Sequence, residues 1–308
     1  MSQLAGAIEE LIASSPPRAG SLAITVFGDC IANQGGSVWL GALVDCLQGF
    51  NLNAQQCRTA IFRLGKDGWI DSEQVGRRRY CRLSAVGQRE FEIASARIYA
   101  TGGPTWDGSW TLVMPVGLET GEREALKRRM NWLGFAGFPN GLLAHPNPDQ
   151  RALSALLEEL DMIDRVVIWN ASSPENDVLQ AQVSEAWSLP DLSTRFSDFV
   201  TRFEPVCNTD SLKSATDLDA FRLRILLIHE YRRLILKVAN LPAAILPSDW
   251  RGDAARNFVR TVYTELAPAS SRWVSANLSN EHGALTLPSQ PFYQRFGGID
   301  VARDSAAA

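Results

Sequence analysis

Three consecutive arginines, Arg77-Arg78-Arg79, follow Gly76 between two short strand-like runs, and no other feature narrows the fold as much. Asp67-Gly68 stops a helical pattern and Trp69-Ile70 begins a strand. Val75-Gly76-Arg77-Arg78 then has the composition of a turn, and Tyr80-Cys81-Arg82-Leu83 returns. Successive side chains on a strand face opposite ways, so such a run puts cations on both sides of a hairpin. Three arginines this close gain nothing from one another and repel. A phosphate backbone or a narrow minor groove supplies the missing counter-charge.

The residues before the hairpin strengthen that reading. Residues 4–13 form a short amphipathic pattern that Ser14-Ser15-Pro16-Pro17 ends. Ser21 is the expected N-cap of a helix to about Ala32, with Leu22, Val26, Phe27 and Ile31 at helical spacing. Ser37 is the expected cap of the next helix, which buries Trp39, Leu40, Leu43, Val44 and Leu47 and ends near Gly49. Asn53 caps a further helix from Ala54 to Lys66 whose inner face is Cys57, Ala60, Ile61 and Leu64. Helices followed by a basic two-stranded hairpin make the winged helix-turn-helix plan.

On the Ala54–Lys66 helix the polar side chains Gln55, Gln56, Arg58, Thr59, Arg63 and Lys66 avoid the apolar stripe. Gln55, Thr59, Arg63 and Lys66 fall at spacings of four, four and three, which puts them on one face. Gln and Arg pair bidentately with adenine and guanine edges, while Thr and Lys suit methyl or phosphate contacts. With Arg77, Arg78, Arg79 and Tyr80 of the hairpin these residues form the expected DNA-binding set. The charge is local. Residues 53–83 hold seven basic side chains against three acids, a net +4 in a chain of net charge -4, so the remainder carries -8.

Beyond the hairpin, residues 84–99 form a connecting helix, and Thr101-Gly102-Gly103-Pro104 marks a boundary. Strand, helix, two short strands, helix and strand follow, at 110–116, 122–133, 135–145, 149–162 and 165–169. That order predicts a ferredoxin-like split βαβ unit. From Leu189 no strand is expected. Helices are placed at 190–206, 216–238, 250–266 and 268–279, with breaks at Pro205, Pro242, Pro247 and Pro268, and the last ~20 residues are expected to fray. The class is α+β, with a winged-helix segment (1–100), a central ferredoxin-like segment (101–188) and an all-α segment (189–308).

Five cysteines without a CxxC pair, and three histidines far apart (His145, His229, His282), give no metal-ligand spacing, so neither metal nor cofactor is expected. No apolar stretch reaches membrane-spanning length and the N-terminus has no secretory pattern, so the expected compartment is the cytoplasm.

The same residues resemble those of the PaaX family. They are Phe27-Gly28-Asp29, Gly36-Ser37-Val38-Trp39-Leu40, Arg58 to Leu64, Asp67-Gly68-Trp69 and Gly76 to Leu83. Trp110-Thr111-Leu112-Val113, Leu227 to Arg233 and Leu246 to Gly252 extend the likeness in the same order over roughly residues 20–280. The resemblance implies a GntR-like winged-helix head and a central domain similar to the Cas2 nucleases. It also implies a homodimeric repressor of phenylacetic acid catabolism that binds palindromic double-stranded operator DNA and leaves it when an aryl-CoA thioester such as phenylacetyl-CoA binds. Another aromatic or acyl-CoA ligand is the alternative.

The segment Phe221–Leu236 is apolar nearly all round, yet carries Arg222, Arg224, His229, Glu230, Arg232 and Arg233. Buried charges of this kind either pair internally, as Glu230 with Arg233, or meet an anion. His229, Arg232 and Arg233 are therefore the candidate effector contacts. Trp250 is a candidate wall for an aryl group, and Trp110 and Trp187 are further possible walls. Enzymes fare poorly. His229-Glu230 is half of an HExxH motif, but Arg233 occupies the second histidine position. The strand Trp110–Val116 also lacks the carboxylate that a Cas2-like nuclease needs for its metal.

Overall fold

The computed structural model describes residues 3–103, 105–238 and 241–299. Apolar spacing and proline punctuation account for most of the first hundred residues. Helix α1 (Gln3–Ser14) buries Leu4, Ile8, Leu11 and Ile12. Helix α2 (Ala19–Val26) runs directly into a π-helical turn over Phe27–Ile31. Ser21 lies inside α2 instead of capping it, because the Leu22 N–H already bonds the Arg18 carbonyl after Pro17.

Ser37–Trp39 is a strand, β1, instead of a helix start. It pairs antiparallel with the hairpin's return strand, Val38 opposite Cys81 and Trp39 opposite Tyr80. Helix α3 (Leu40–Gln48) therefore begins only after Trp39. Helix α4 (Ala54–Lys66), strands β2 (Ile70–Val75) and β3 (Arg78–Leu83), and helix α5 (Ala85–Ile98) follow. The small sheet has the order β1-β3-β2.

Strand β4 (Ser109–Pro115), helix α6 (Thr120–Trp132), β5 (Ala136–Gly137), β6 (Leu143–His145), α7 (Gln150–Glu159) and β7 (Val166–Ser172) come next. The sheet order β5-β6-β4-β7 is antiparallel throughout, the split βαβ arrangement expected from the sequence. Its helices close over Val113, Leu126, Met130, Leu143, Leu153 and Leu157. Trp110 and Trp187 pack with Phe138 in this unit's interior, and the Trp187 indole N–H donates to the Gly134 carbonyl at 3.1 Å. Neither forms an open wall.

The rest is mostly helical: α8 (Asp177–Ala186), α9 (Leu189–Phe203), α10 (Thr209–Lys213), α11 (Asp217–Ile235) and α12 (Gly252–Asn277). Pro268 does not break α12. A proline inside a helix costs about 3 kcal/mol, and burial of the neighbouring Leu266 and Ala267 works against that loss. A two-residue hairpin, β8 (Ser279–Asn280) with β9 (Gly283–Ala284), was not expected from sequence. Glu281 and His282 make its turn, and Gly283 opens β9 at φ 120°. Residues 290–297, expected to fray, instead hold α13 (Gln290–Tyr293) and a 3-10 turn with Phe292, Arg295 and Phe296 buried. The final Ser-Ala-Ala-Ala lies outside the described residues.

The chain divides into two compact units. One comprises residues 1–101, 198–232 and 254–308, the other residues 102–197 and 233–253.

Candidate nucleic-acid interface

Helix α4 is fixed at both ends by its own sequence. Asn53 accepts from the Gln56 N–H at 2.8 Å while the Gln56 side chain accepts from the Asn53 N–H at 3.0 Å, a reciprocal capping box. At the other end Gly68 adopts φ 75°. The Trp69 N–H reaches the Leu64 carbonyl and the Gly68 N–H reaches that of Gly65, a Schellman closure. Cys57 and Ile61 are buried, and Ala60 faces Gly20 of α2. That anchoring turns Gln55, Arg58, Arg63 and Lys66 to solvent, with Thr59 half-buried.

The hairpin register follows from a two-residue loop. Val75 pairs with Arg78, and Gly76 takes φ 61°, a conformation that favours glycine. Arg77 sits in the loop, and Arg78 and Arg79 open β3 on alternate faces. The Arg78 guanidinium lies 4.5 Å over the Trp39 ring. Arg82 is different: it donates to Glu73 across the strands at 2.9 Å. Among the described residues no ion pair engages Arg58, Arg63, Lys66, Arg77, Arg78 or Arg79, and all six are exposed. Six uncompensated cations on two successive elements make a local positive potential in an acidic chain.

Two residues of the expected DNA-binding set do other work. Tyr80 is 6% exposed, because its face of β3 meets β1 and the core. The side-chain oxygen of Gln56 is committed to the cap. Phe62 was not singled out from sequence, yet it is 62% exposed on α4 with the Lys66 ammonium 5.1 Å from its ring centre. The available signal was its position, off the Cys57–Ile61–Leu64 stripe. A bare aromatic among cations suits contact with a thymine methyl.

Of the four expected effector contacts, His229 and Arg232 lie in one compact unit and Arg233 and Trp250 in the other. His229 is buried with Nδ1 2.9 Å from Thr25 Oγ1. Arg232 donates to Thr25 Oγ1 at 2.8 Å and to the Ser21 carbonyl and hydroxyl at 2.8 and 2.7 Å. Both therefore hold α11 against α2. Glu230 accepts from Arg202 at 3.1 Å. Arg233 is exposed and belongs to the other compact unit, as does Trp250, whose ring meets Phe196 edge-on at 5.5 Å.

Behind the helices lies Asp29, fully buried on the π-helical turn. Its carboxylate receives Arg224 at 2.7 Å, Arg295 at 3.1 Å, and the hydroxyls of Tyr99 and Tyr263 at 2.7 and 2.8 Å. Burial alone raises its pKa, but the two guanidinium charges and the hydroxyl donors outweigh it and hold the carboxyl below its ordinary value. Tyr99 ends α5, whose first turn is capped by Ser84. Ser84 takes the Gly87 N–H at 3.0 Å and donates to the Gly68 carbonyl at the base of the hairpin. The connecting helix is thus fastened to the hairpin at one end and to the buried carboxylate at the other.

Comparison with known proteins agrees with this organisation. The model described as PaaX-like protein matches residues 18–87, the PaaX protein central Cas2-like domain residues 103–183, and the PaaX-like protein C-terminal domain residues 187–276. The chain is 34% identical to a protein of Escherichia coli (strain K12) named transcriptional repressor PaaX, over 99% of this chain and 98% of that one. A solved structure, the uncharacterized protein Rv0674 from Mycobacterium tuberculosis, matches at TM-score 0.50 and 20% identity over 80% of this chain and 94% of that one, which shows a shared fold. No helix among the described residues is long and apolar enough to cross a membrane. Matched by three family models in the expected order and by a relative over almost its whole length, the chain belongs to the PaaX family.

Proposed function

We propose that this protein is a transcriptional repressor. It reads double-stranded operator DNA with a winged helix-turn-helix made of α3, α4 and the β2–β3 hairpin, and it works as a homodimer. The observation that carries the proposal is the set of six exposed cations on α4 and the hairpin that have no ion-pair partner among the described residues. Helix α4 enters the major groove, where Gln55, Arg63 and Phe62 meet base edges. Arg77, Arg78 and Arg79 meet flanking phosphates or the minor groove. A two-fold dimer repeats the contact one helical turn away, or a multiple of it.

An aryl-CoA thioester such as phenylacetyl-CoA is the proposed effector, and another acyl-CoA is the second reading. Family membership supports it, whereas His229 and Arg232 are already used in helix packing. Such a ligand shifts the DNA equilibrium only by its different affinity for the DNA-bound and free geometries. A gel-shift titration of the protein with its own upstream DNA at low salt tests the proposal. Saturable retardation that weakens steeply with salt is expected, and affinity no better than for unrelated DNA overturns it. Adding phenylacetyl-CoA to the same mixture is expected to release the DNA.

A further inference from the structure

The buried cluster around Asp29 is out of charge balance. One carboxylate meets two guanidiniums, Arg224 at 0% and Arg295 at 2% side-chain exposure. Both arginines also have donors to spare. Arg224 Nη1 and Arg295 Nε have no hydrogen-bond partner among the described residues. Leaving an N–H of a buried cation without an acceptor is costly, so these atoms are ready donors to any acceptor that reaches them.

Arg295 has something to offer an acceptor. It contributes to the lining of a cleft of about 340 Å³ that opens to solvent between α5 and the C-terminal turns. One wall is a single face of α5, including Phe91, Ser95 and Tyr99; the other includes Pro291 and Gln294. Phe91 is seated against Gly28, where a Cβ would stand 3.0 Å from the ring, so its position is fixed. Tyr99 is held by Asp29, with the Arg295 guanidinium 3.9 Å over its ring. Glu92 is the acid of the lining, and it already accepts from Gln88 at 2.9 Å. The cleft is at the small end of ligand sites, roughly 300–1,000 Å³.

We propose that this cleft binds a small organic monoanion with a flat apolar body, its charge met by Arg295 and its body lying against Phe91 and Tyr99. A single surplus positive charge calls for a monoanion, and the Glu92 carboxylate at the wall disfavours a dianion. Rigid aromatic walls select a flat body over a hydrated inorganic ion. Because the α5 face forming the wall belongs to the helix capped at the hairpin base, occupancy bears directly on the DNA-reading elements. This goes beyond the effector reading above and uses different residues.

Isothermal titration of the full chain with benzoate, without DNA, tests it. One saturable site per chain is expected, with benzamide, the neutral isostere, roughly tenfold weaker or worse. Ser95→Trp fills the cleft without touching the charged cluster, and is expected to abolish the benzoate heat while the circular dichroism stays that of the wild type. Arg295→Lys removes the Nε donor and is expected to weaken binding. Should it fail to fold, the Ser95→Trp comparison decides. The proposal is overturned if benzoate gives no saturable heat, if benzamide or inorganic phosphate binds equally well, or if Ser95→Trp leaves binding unchanged. Loss of the benzoate site with DNA binding intact removes this inference alone. Benzoate binding in a protein that ignores DNA removes the repressor reading alone.

Discussion

The guanidinium of Arg78 lies 4.5 Å over the indole of Trp39, so a three-residue strand distant in sequence aims one of the hairpin's cations. Trp39 in turn sits over Gly41, where any Cβ would collide with the indole. A cation held over an indole is worth about 0.5–1 kcal/mol at an exposed site. Trp39→Leu is therefore expected to weaken DNA binding a few-fold while the salt dependence stays unchanged, since no charge is lost. Gel shifts at several ionic strengths read both quantities. A flatter salt slope would show that Trp39 does more than orient Arg78.

Changing Arg77, Arg78 and Arg79 together to alanine removes charge instead of orientation. The slope of log affinity against log salt is expected to fall by about 0.9 for each arginine that meets a phosphate, with affinity lowered on every sequence alike. An unchanged slope would place the hairpin away from the duplex.

Substitutions on α4 are expected to act on sequence preference. Arg63→Ala or Gln55→Ala should cost about 1–3 kcal/mol on the preferred site and less on variants altered at the contacted base pair. Phe62→Ala should relax preference at a thymine. Binding selections with randomised sites measure this. A uniform loss across all sites would reassign these side chains to the backbone.

Asp29→Asn leaves two buried guanidiniums facing a neutral amide and is expected to cost about 3–5 kcal/mol of stability in urea unfolding. The pH dependence has a definite sign. The folded pKa of Asp29 lies below its unfolded one, so its contribution is complete above the ordinary carboxylate range and is lost as pH falls through the lowered folded value. Acid denaturation of the wild type should thus show a component between those two values that Asp29→Asn lacks.

The Asn53 cap offers a milder test. Asn53→Ala removes one arm of the capping box and is expected to cost about 1 kcal/mol, read as a lower Tm with α4 less protected from amide exchange.

What the sequence made legible was local. Asn53 with Gln56, Gly68, and Gly76 each act within a few residues, so α4 and the hairpin were readable at nearly their true bounds. The central sheet was readable for the same reason, each of its elements having its own period and turn. Ser37-Val38-Trp39 was not, because its identity as a strand is decided by pairing with residues 80–82, more than forty positions away. Pro268 misled because a breaker is local whereas the packing that tolerates it is not. The buried cluster was hidden most completely, since Asp29, Tyr99, Arg224, Tyr263 and Arg295 come from five separate stretches and no spacing rule links them. For the same reason the charges set into the apolar segment 221–236 invited a ligand site: Arg222, Arg232 and Glu230 are met by α1, α2 and α9, which the helix alone does not reveal.

The discontinuity of the first compact unit has a consequence for the order of synthesis. On the ribosome, the segment that carries α4 and the hairpin emerges well before the arginines that neutralise its buried carboxylate, residues 224 and 295. The buried carboxylate therefore stays without its counter-charges until residues 224 and 295 have been made. A chain cut before residue 224, or an excised N-terminal segment, keeps Asp29 buried without either guanidinium and is expected to be markedly less stable than the whole protein.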